Sequence, residues 1–289
     1  MKCHNYTIKS LKPKVVNDLI RVGNIETDGG YLLSRRQLAL TKVLIGLGIN
    51  YDWTFEKHFK SLQPDAKIYC YDFSVGPSIF LKGSFLAVVD IFSPSTYFDI
   101  LSRKKKTTTV FRRPFMELQT YFSFNDFFNA KKNNFFYQKG ISDERSEQFI
   151  TASEMFNDID HFDKLPDNSV FIKIDIEGSE YDILEEVISH SSKINGMVME
   201  FHNTKQLWYE FKYLIDKILV DFEVIHVHGN NCCGYIPDTS IPNFIELSFI
   251  KRELLTASEL SQSNNLTYPL ANLDKPCIKR KKDLTLGFE

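Results

Sequence analysis

The stretch VFIKIDIEGSEYDIL, residues 170–184, decides how the rest of the chain is read. Its first five residues form a near-continuous apolar run, the pattern of a strand buried on both faces of a parallel sheet. The second half, SEYDILEEVIS, has helical apolar spacing with acids in its first turn, where the helix dipole favours them. Between the two stand Asp175, Glu177 and Gly178. A carboxylate ending an apolar strand is costly unless it is partnered, so Asp175 marks a candidate site. Glu180 reads first as a helix-start residue.

Working outward, the same alternation recurs. KVLIGLG (42–48) is an apolar run ending in glycines, YDWTFEKHFKSLQ (51–63) has a helical apolar face, and AKIYCYDF (66–73) is a second strand. Toward the C-terminus, NFFYQKGIS (134–142), SVFIKIDI (169–176) and INGMVMEFH (194–202) read as strands three to five, and KQLWYEFKYLIDKILVD (205–221) as a helix. FEVIHVHG (222–229) and NFIELSFIKR (243–252) are two late strands joined by a loop alone, hence antiparallel neighbours. Alternating strands and helices predict an α/β chain with a doubly wound, mostly parallel sheet. A terminal antiparallel pair is typical of the seven-stranded sheet of class I methyltransferases, with helices on both faces. The expected division is a lead-in over 1–40, the α/β domain over 41–252 with a largely helical insertion at 76–134, and a polar tail over 253–289.

Composition narrows the function classes. The net charge of −2 supplies no basic field for nucleic acid. No apolar run approaches the roughly 20 residues of a membrane helix, and the start lacks a signal-peptide core. The cysteines Cys3, Cys70, Cys232, Cys233 and Cys277 contain no CxxC pair. Reduced thiols and a cytoplasmic location are expected.

Ligands of open α/β sheets bind beyond the carboxyl ends of the strands. Those ends carry Gly46, Gly48 and Asn50, then Asp72, then Ser142 and Asp143, then Asp175 and Glu177, then Glu200 and His202, and last His226 and His228. Glycines admit a ligand to the backbone, and an acid about 20 residues on suits a ribose diol.

Four segments in order resemble FkbM-type methyltransferases. FIKIDIEGSEYDIL (171–184) resembles that family's K-x-D-x-E-G-x-E signature. RVGNIETDGGYLL (21–33), GLGINYDWTFE (46–56), and VHGNN (227–231) with IPNFIELSF (241–249) resemble further segments of one branch. The resemblance implies methyl transfer from S-adenosylmethionine to a hydroxyl oxygen, the acceptor being a sugar hydroxyl of a surface glycan or its nucleotide- or lipid-linked precursor. It implies that Gly46 and Gly48 lie under the methionine part of the cofactor, that Asp72 holds the ribose, that Ser142 or Asp143 sits near the adenine, and that Asp175 faces the methyl and the acceptor. The acid usual two residues before the first glycine is replaced by Leu44, leaving Asp28 and Glu56 as substitutes for binding the cofactor's amino group.

Other readings stand beside these. A nicotinamide-dependent oxidoreductase or sugar epimerase would use the same turn and acid, but the position three beyond Gly48 is Tyr51, not glycine. A fold retained without catalysis would have lost Asp72, Asp175 or the glycines. Glu177, His202 and His228 are the candidate bases. Glu200 and His202 share a strand face, and His226 and His228 repeat the spacing. With Asp175 these groups offer a divalent-metal set or a histidine base; hydrogen-bonded structural histidines are the plain alternative, and no metal is assigned. Arg112 and Arg113, beside RKKK (103–106), are candidates for binding an anionic acceptor or form a solvated charge run.

Overall fold

The computed structural model describes residues 9–26, 29–102, 107–239 and 241–288. Eleven strands and nine helices are formed among the described residues. In chain order these are β1 (Leu19–Gly23), β2 (Gly30–Ser34), α1 (Arg35–Leu40), β3 (Val43–Leu47), α2 (Thr54–Leu62), β4 (Lys67–Tyr71), α3 (Pro77–Ile91), α4 (Pro94–Leu101) and α5 (Thr107–Phe127). There follow β5 (Asn134–Tyr137), β6 (Gly140–Ile141), β7 (Phe149–Ile150), α6 (Ala152–Asp158), β8 (Val170–Ile174), α7 (Glu180–Ser189), β9 (Ile194–Phe201), α8 (Trp208–Asp221), β10 (Phe222–Gly229), β11 (Ile245–Lys251) and α9 (Ala257–Ser261).

Seven strands make one sheet in the order β10-β11-β9-β8-β3-β4-β5, with β11 antiparallel to both its neighbours and the rest parallel. Side chains alternate across the central strands, as the pleat requires. Val43, Ile45 and Leu47 of β3 and Val170, Ile172 and Ile174 of β8 enter one core with α6, α7 and α8. Leu44 and Phe171 enter the opposite core with Phe55 and Phe59 of α2 and Phe80 of α3. Both faces are thus covered, which is why these strands are apolar apart from Lys173 of β8.

The structure differs from the sequence reading in three places. The expected third strand stops at Tyr137; Gly140–Ile141 turns away to pair with Phe149–Ile150 in a separate two-stranded sheet. β1 and β2, five residues each, form an antiparallel hairpin too short to show a period. In the late pair, β11 inserts between β9 and β10, so His226 and His228 do not neighbour Glu200 and His202. Glu246 of β11 lies between them, paired with Glu200 on one side and His228 on the other.

The two ends of the described chain clasp the domain. Arg36 bonds both Asp18 (3.1 Å) and Glu259 of α9 (2.8 Å), and the Arg36 bond, with the Thr256 cap, holds Glu259 at a pKa of about 2 despite burial. The polar stretch after Arg252 is folded onto β10. Tyr268 and Leu286 join the main core, His226 meets Asp274 (3.0 Å) and His228 meets Asp283 (3.0 Å). Burial opposes charge on His228, but Glu246 and Asp283 outweigh it and its pKa is pushed up to about 11. The folded pKa lies above the unfolded value of about 6.5, so this contribution is complete below about pH 6.5 and is lost as pH rises through about 11. His228→Ala removes the ring that pairs with Glu246 and Asp283 and should cost roughly 3 kcal/mol. Urea unfolding at about pH 6 and about pH 10 should show the wild type losing stability at the higher pH, with the gap to the variant narrowing.

Candidate active site

β3 ends in a left-handed turn. Gly48 has φ +72°, and a Cβ there would lie 1.7 Å from the carbonyl oxygen of Asp175. The turn is pulled onto β8 by Lys173, whose buried ammonium donates to the Gly48 carbonyl at 2.8 Å. Two residues on, the Asn50 amide donates to Asp72 Oδ2 (2.7 Å), while the Ser74 amide and hydroxyl donate to Oδ1 (2.7 and 2.6 Å). Asp72 is thereby aimed along a cavity of about 360 Å³, whose walls include Phe73, Ile141 and Phe149. Oδ1 accepts two donors, and Oδ2, with one, retains capacity for another. An acid at the rim of an apolar slot fits a ribose with a flat aromatic base beyond it, the shape S-adenosylmethionine presents.

Asp175 lines this cavity and a second one of about 490 Å³, which it shares with Glu177, Glu200, His202, Asn230 and Phe244. Asp175 Oδ2 accepts from the Tyr31 hydroxyl at 3.1 Å. Beyond it the chain reverses through Glu177, at φ +56°, a conformation that costs a non-glycine residue roughly 1–2 kcal/mol. Glu180, fully buried, then does more than open α7. One oxygen accepts from the Gly178 amide (2.8 Å), the other from the His202 amide (2.6 Å) and His202 Nδ1 (3.0 Å). That contact places a proton on Nδ1 and turns Nε2 toward carboxylate oxygens of Glu177 (3.6 Å), Glu200 (3.8 Å) and Asp175 (3.9 Å). Burial lowers the His202 pKa, but the acids, Glu180 foremost, outweigh it and the net shift is upward. Glu200 is itself held by Asn230 Nδ2 at 2.8 Å. Single ligand atoms of Asp175, Glu200 and His202 all lie within 4.8 Å of one another, a set able to hold a divalent cation.

The remaining candidates are dispersed. Gly46 lies in β3 beneath the turn, and a Cβ there would come 3.0 Å from Glu56 Oε1. Glu56 does not line either cavity: it is buried under the sheet, burial pushes its pKa up, and neither of its oxygens has a hydrogen-bond partner among the described residues. Asp52, one turn earlier, lines the second cavity instead. Gly140, Ile141 and Phe149 line the first cavity where Ser142 and Asp143 were expected. His228 is consumed by Glu246 and Asp283 and faces the tail, because β11 displaces it from β9. Arg112 and Arg113 are exposed on α5 and line neither cavity. Asp28 lies outside the described residues. The sequence reading missed Lys173, Tyr31 and the hold of Glu180 on His202. Lys173 and Glu180 stand within the quoted signature, yet nothing in spacing shows that a first-turn acid reaches the next strand's end.

The strand order, the acid after β4 and the acid after β8 define a class I methyltransferase fold. Residues 104–236 match the model of the methyltransferase FkbM domain, a span that contains Asp175, Glu180 and His202 while Gly48 and Asp72 precede it. Over that span the chain is similar to FkbM-type methyltransferases, which supports an S-adenosylmethionine-dependent methyltransferase. Among solved structures it resembles the Methanococcus jannaschii fibrillarin pre-rRNA processing protein (9% identity over 83% of this chain and 85% of that one, TM-score 0.34). It also resembles Streptococcus pneumoniae Sp1610 in complex with S-adenosyl-L-methionine (10%, 79% and 78%, 0.34). A third resemblance is to the plantazolicin methyltransferase BpumL in complex with S-adenosylhomocysteine (9%, 72% and 75%, 0.31). At such scores the likeness adds nothing to the strand order. No curated protein matches the chain.

Gly48→Ala forces a methyl group onto the Asp175 backbone, where no side chain can yield. It should destabilise the fold by roughly 2 kcal/mol and weaken S-adenosylmethionine binding at least tenfold. Thermal melting and calorimetry on the purified variant check both.

Proposed function

We propose that the enzyme methylates a hydroxyl oxygen, and that the acceptor is a sugar of a surface glycan or its nucleotide- or lipid-linked precursor. The observation that carries this reading is His202, tied at Nδ1 to Glu180 and presenting Nε2 to a cavity of carboxylates. A hydroxyl needs a group to take its proton as the oxygen is alkylated, and a histidine with an oriented free nitrogen does this near neutral pH. The cavity suits a sugar: Asp175, Glu177, Glu200 and Asn230 offer partners for several hydroxyls, and Phe244 offers a flat apolar face.

S-adenosylmethionine, when bound, supplies an electrophilic methyl carbon on a cationic sulfur. Asp72 and the Gly48–Asn50 turn hold it at the ribose and backbone. Asp52, beside Gly29, serves its amino group in place of Glu56. Asp175, between the two cavities, orients the acceptor oxygen. The proton leaves that oxygen for His202 Nε2, and Glu180 stabilises the imidazolium that results. Glu177, on the rim, binds the acceptor.

Asp72→Ala should weaken S-adenosylmethionine binding by roughly 1.5–3 kcal/mol in calorimetry, since a charged acceptor is lost. His202→Gln should remove the ascending limb of the rate–pH profile. Glu180→Gln deletes the main charge raising the His202 pKa, so that limb should move to lower pH with a reduced plateau. Three coincident profiles would remove His202 as the base.

The spacing of Asp175, Glu200 and His202 favours a second reading, in which a divalent cation binds the acceptor's oxygens. On the histidine reading, turnover is unchanged by EDTA and by added Mg²⁺ or Mn²⁺. Loss on chelation, restored by one of these ions, assigns the site to a metal.

A further inference from the structure

The loop after β10 carries two adjacent thiols, Cys232 and Cys233, whose sulfurs lie 2.9 Å apart. Cys232 is half-buried and lines the cavity of about 490 Å³, while Cys233 is exposed to solvent. Two sulfurs in contact, one of them reachable from outside, suit thiol–disulfide exchange: a mixed disulfide formed at the outer sulfur can be attacked by the inner one. The loop has room to take up the movement. Gly234 follows at φ +68°, and a Cβ there would meet nothing within 4 Å. Cys70, by contrast, is buried in the core beside Ile68 and Phe80.

A disulfide between neighbours distorts the peptide that joins them. Consecutive Cα atoms are about 3.8 Å apart across a trans peptide, whereas disulfides ordinarily span about 4.4–6.8 Å. Such a bond is strained and readily reduced, which suits a reversible site and not a structural bridge. The distortion reaches the cavity through short contacts. The Cys232 amide donates to Asn230 Oδ1 at 3.0 Å, and Asn230 Nδ2 donates to Glu200 Oε1 at 2.8 Å. Glu200 Oε2 lies 3.8 Å from His202 Nε2. The carbonyl of the joining peptide, that of Cys232, accepts from Lys281 Nζ of the tail at 3.1 Å. We propose that Cys232 and Cys233 are a thiol modification site, at which a low-molecular-weight disulfide drives a reversible bond between them and reshapes the wall that holds Glu200. The Cys233 sulfur attacks one sulfur of the small disulfide and expels one thiol. Cys232 then attacks the Cys233 sulfur of the mixed disulfide and expels the second. The protein pair gives up two electrons and two protons, and the small disulfide takes up both. The sulfur chemistry is independent of the proposed function; its effect on the acceptor rests on that reading of the cavity.

The test needs no turnover, so failure of the acceptor reading leaves its readouts untouched. The full chain is incubated with glutathione disulfide, alkylated with iodoacetamide, digested with trypsin and mapped by mass spectrometry. The peptide 218–251 contains Cys232 and Cys233 and no other cysteine. After oxidation it should carry neither alkyl groups nor glutathione; after dithiothreitol it should carry two alkyl groups. The His202 imidazole resonance, assigned by its absence from His202→Gln, should move on oxidation and return on reduction. Cys232→Ser with Cys233→Ser should abolish that movement. S-adenosylmethionine affinity should change by less than about twofold, since Asp72 and Asn50 stand outside this chain of contacts. A peptide that still takes two alkyl groups after oxidation, or that carries two glutathiones, overturns the proposal. So does a bond from either residue to another cysteine, or formation of the bond with the His202 resonance unmoved.

Discussion

A buried lysine holds the centre of this molecule together. Lys173 projects from β8 into the core that contains Phe171, and its ammonium reaches the carbonyl of Gly48 at the end of β3. Burial strips a charge of hydration and would push its pKa down, but Glu56 and Asp175 outweigh this and hold it protonated. A buried charge is tolerated only when such partners and hydrogen bonds are in place. The consequence is geometric. With Gly48 drawn onto the Asp175 backbone, the turn through Asn50 is set, and the Asn50 amide in turn aims Asp72. Two carboxylates on different strands are therefore positioned by one lysine, which itself lines the second cavity.

The acids that follow β8 divide their tasks according to burial. Asp175, half-buried, faces both cavities; Glu177 is exposed on the rim; Glu180 is fully enclosed and spends both oxygens on backbone amides and His202. Four carboxylates around one imidazole would repel one another were the ring not able to carry a proton, and the upward shift of its pKa is the measure of their field. In the proposed mechanism the same field suits the cationic sulfur of the cofactor as well as the base.

The periphery is built from weaker rules. The tail covers β10 through two histidine–carboxylate contacts and a few apolar side chains, and α9 reaches back to α1 through Arg36. α3 and α5 pack their facing residues Phe80 and Phe124 into the core and leave Phe85, Phe111 and Phe115 exposed.

Much of the fold was legible in residue order, because strands covered on both faces are mostly apolar and open α/β sheets bind ligands beyond their carboxyl ends. VFIKI before Asp175, VLIGL before Gly48 and KIYCY before Asp72 announce both the parallel sheet and the candidate residues at its carboxyl ends. The antiparallel late pair was readable from the lack of a helical pattern between its strands. Only the tertiary structure decided which strand ends meet. It placed β11 between β9 and β10, so that His202 and His228, equivalent in the sequence, acquired opposite surroundings. It buried Glu180 against His202 and hid Glu56 behind Gly46, distinctions that helical and strand periods do not carry. Local patterns report which face of an element is dry; the identity of a side chain's partner depends on strand order and on close approach between backbones, which are properties of the whole packed chain.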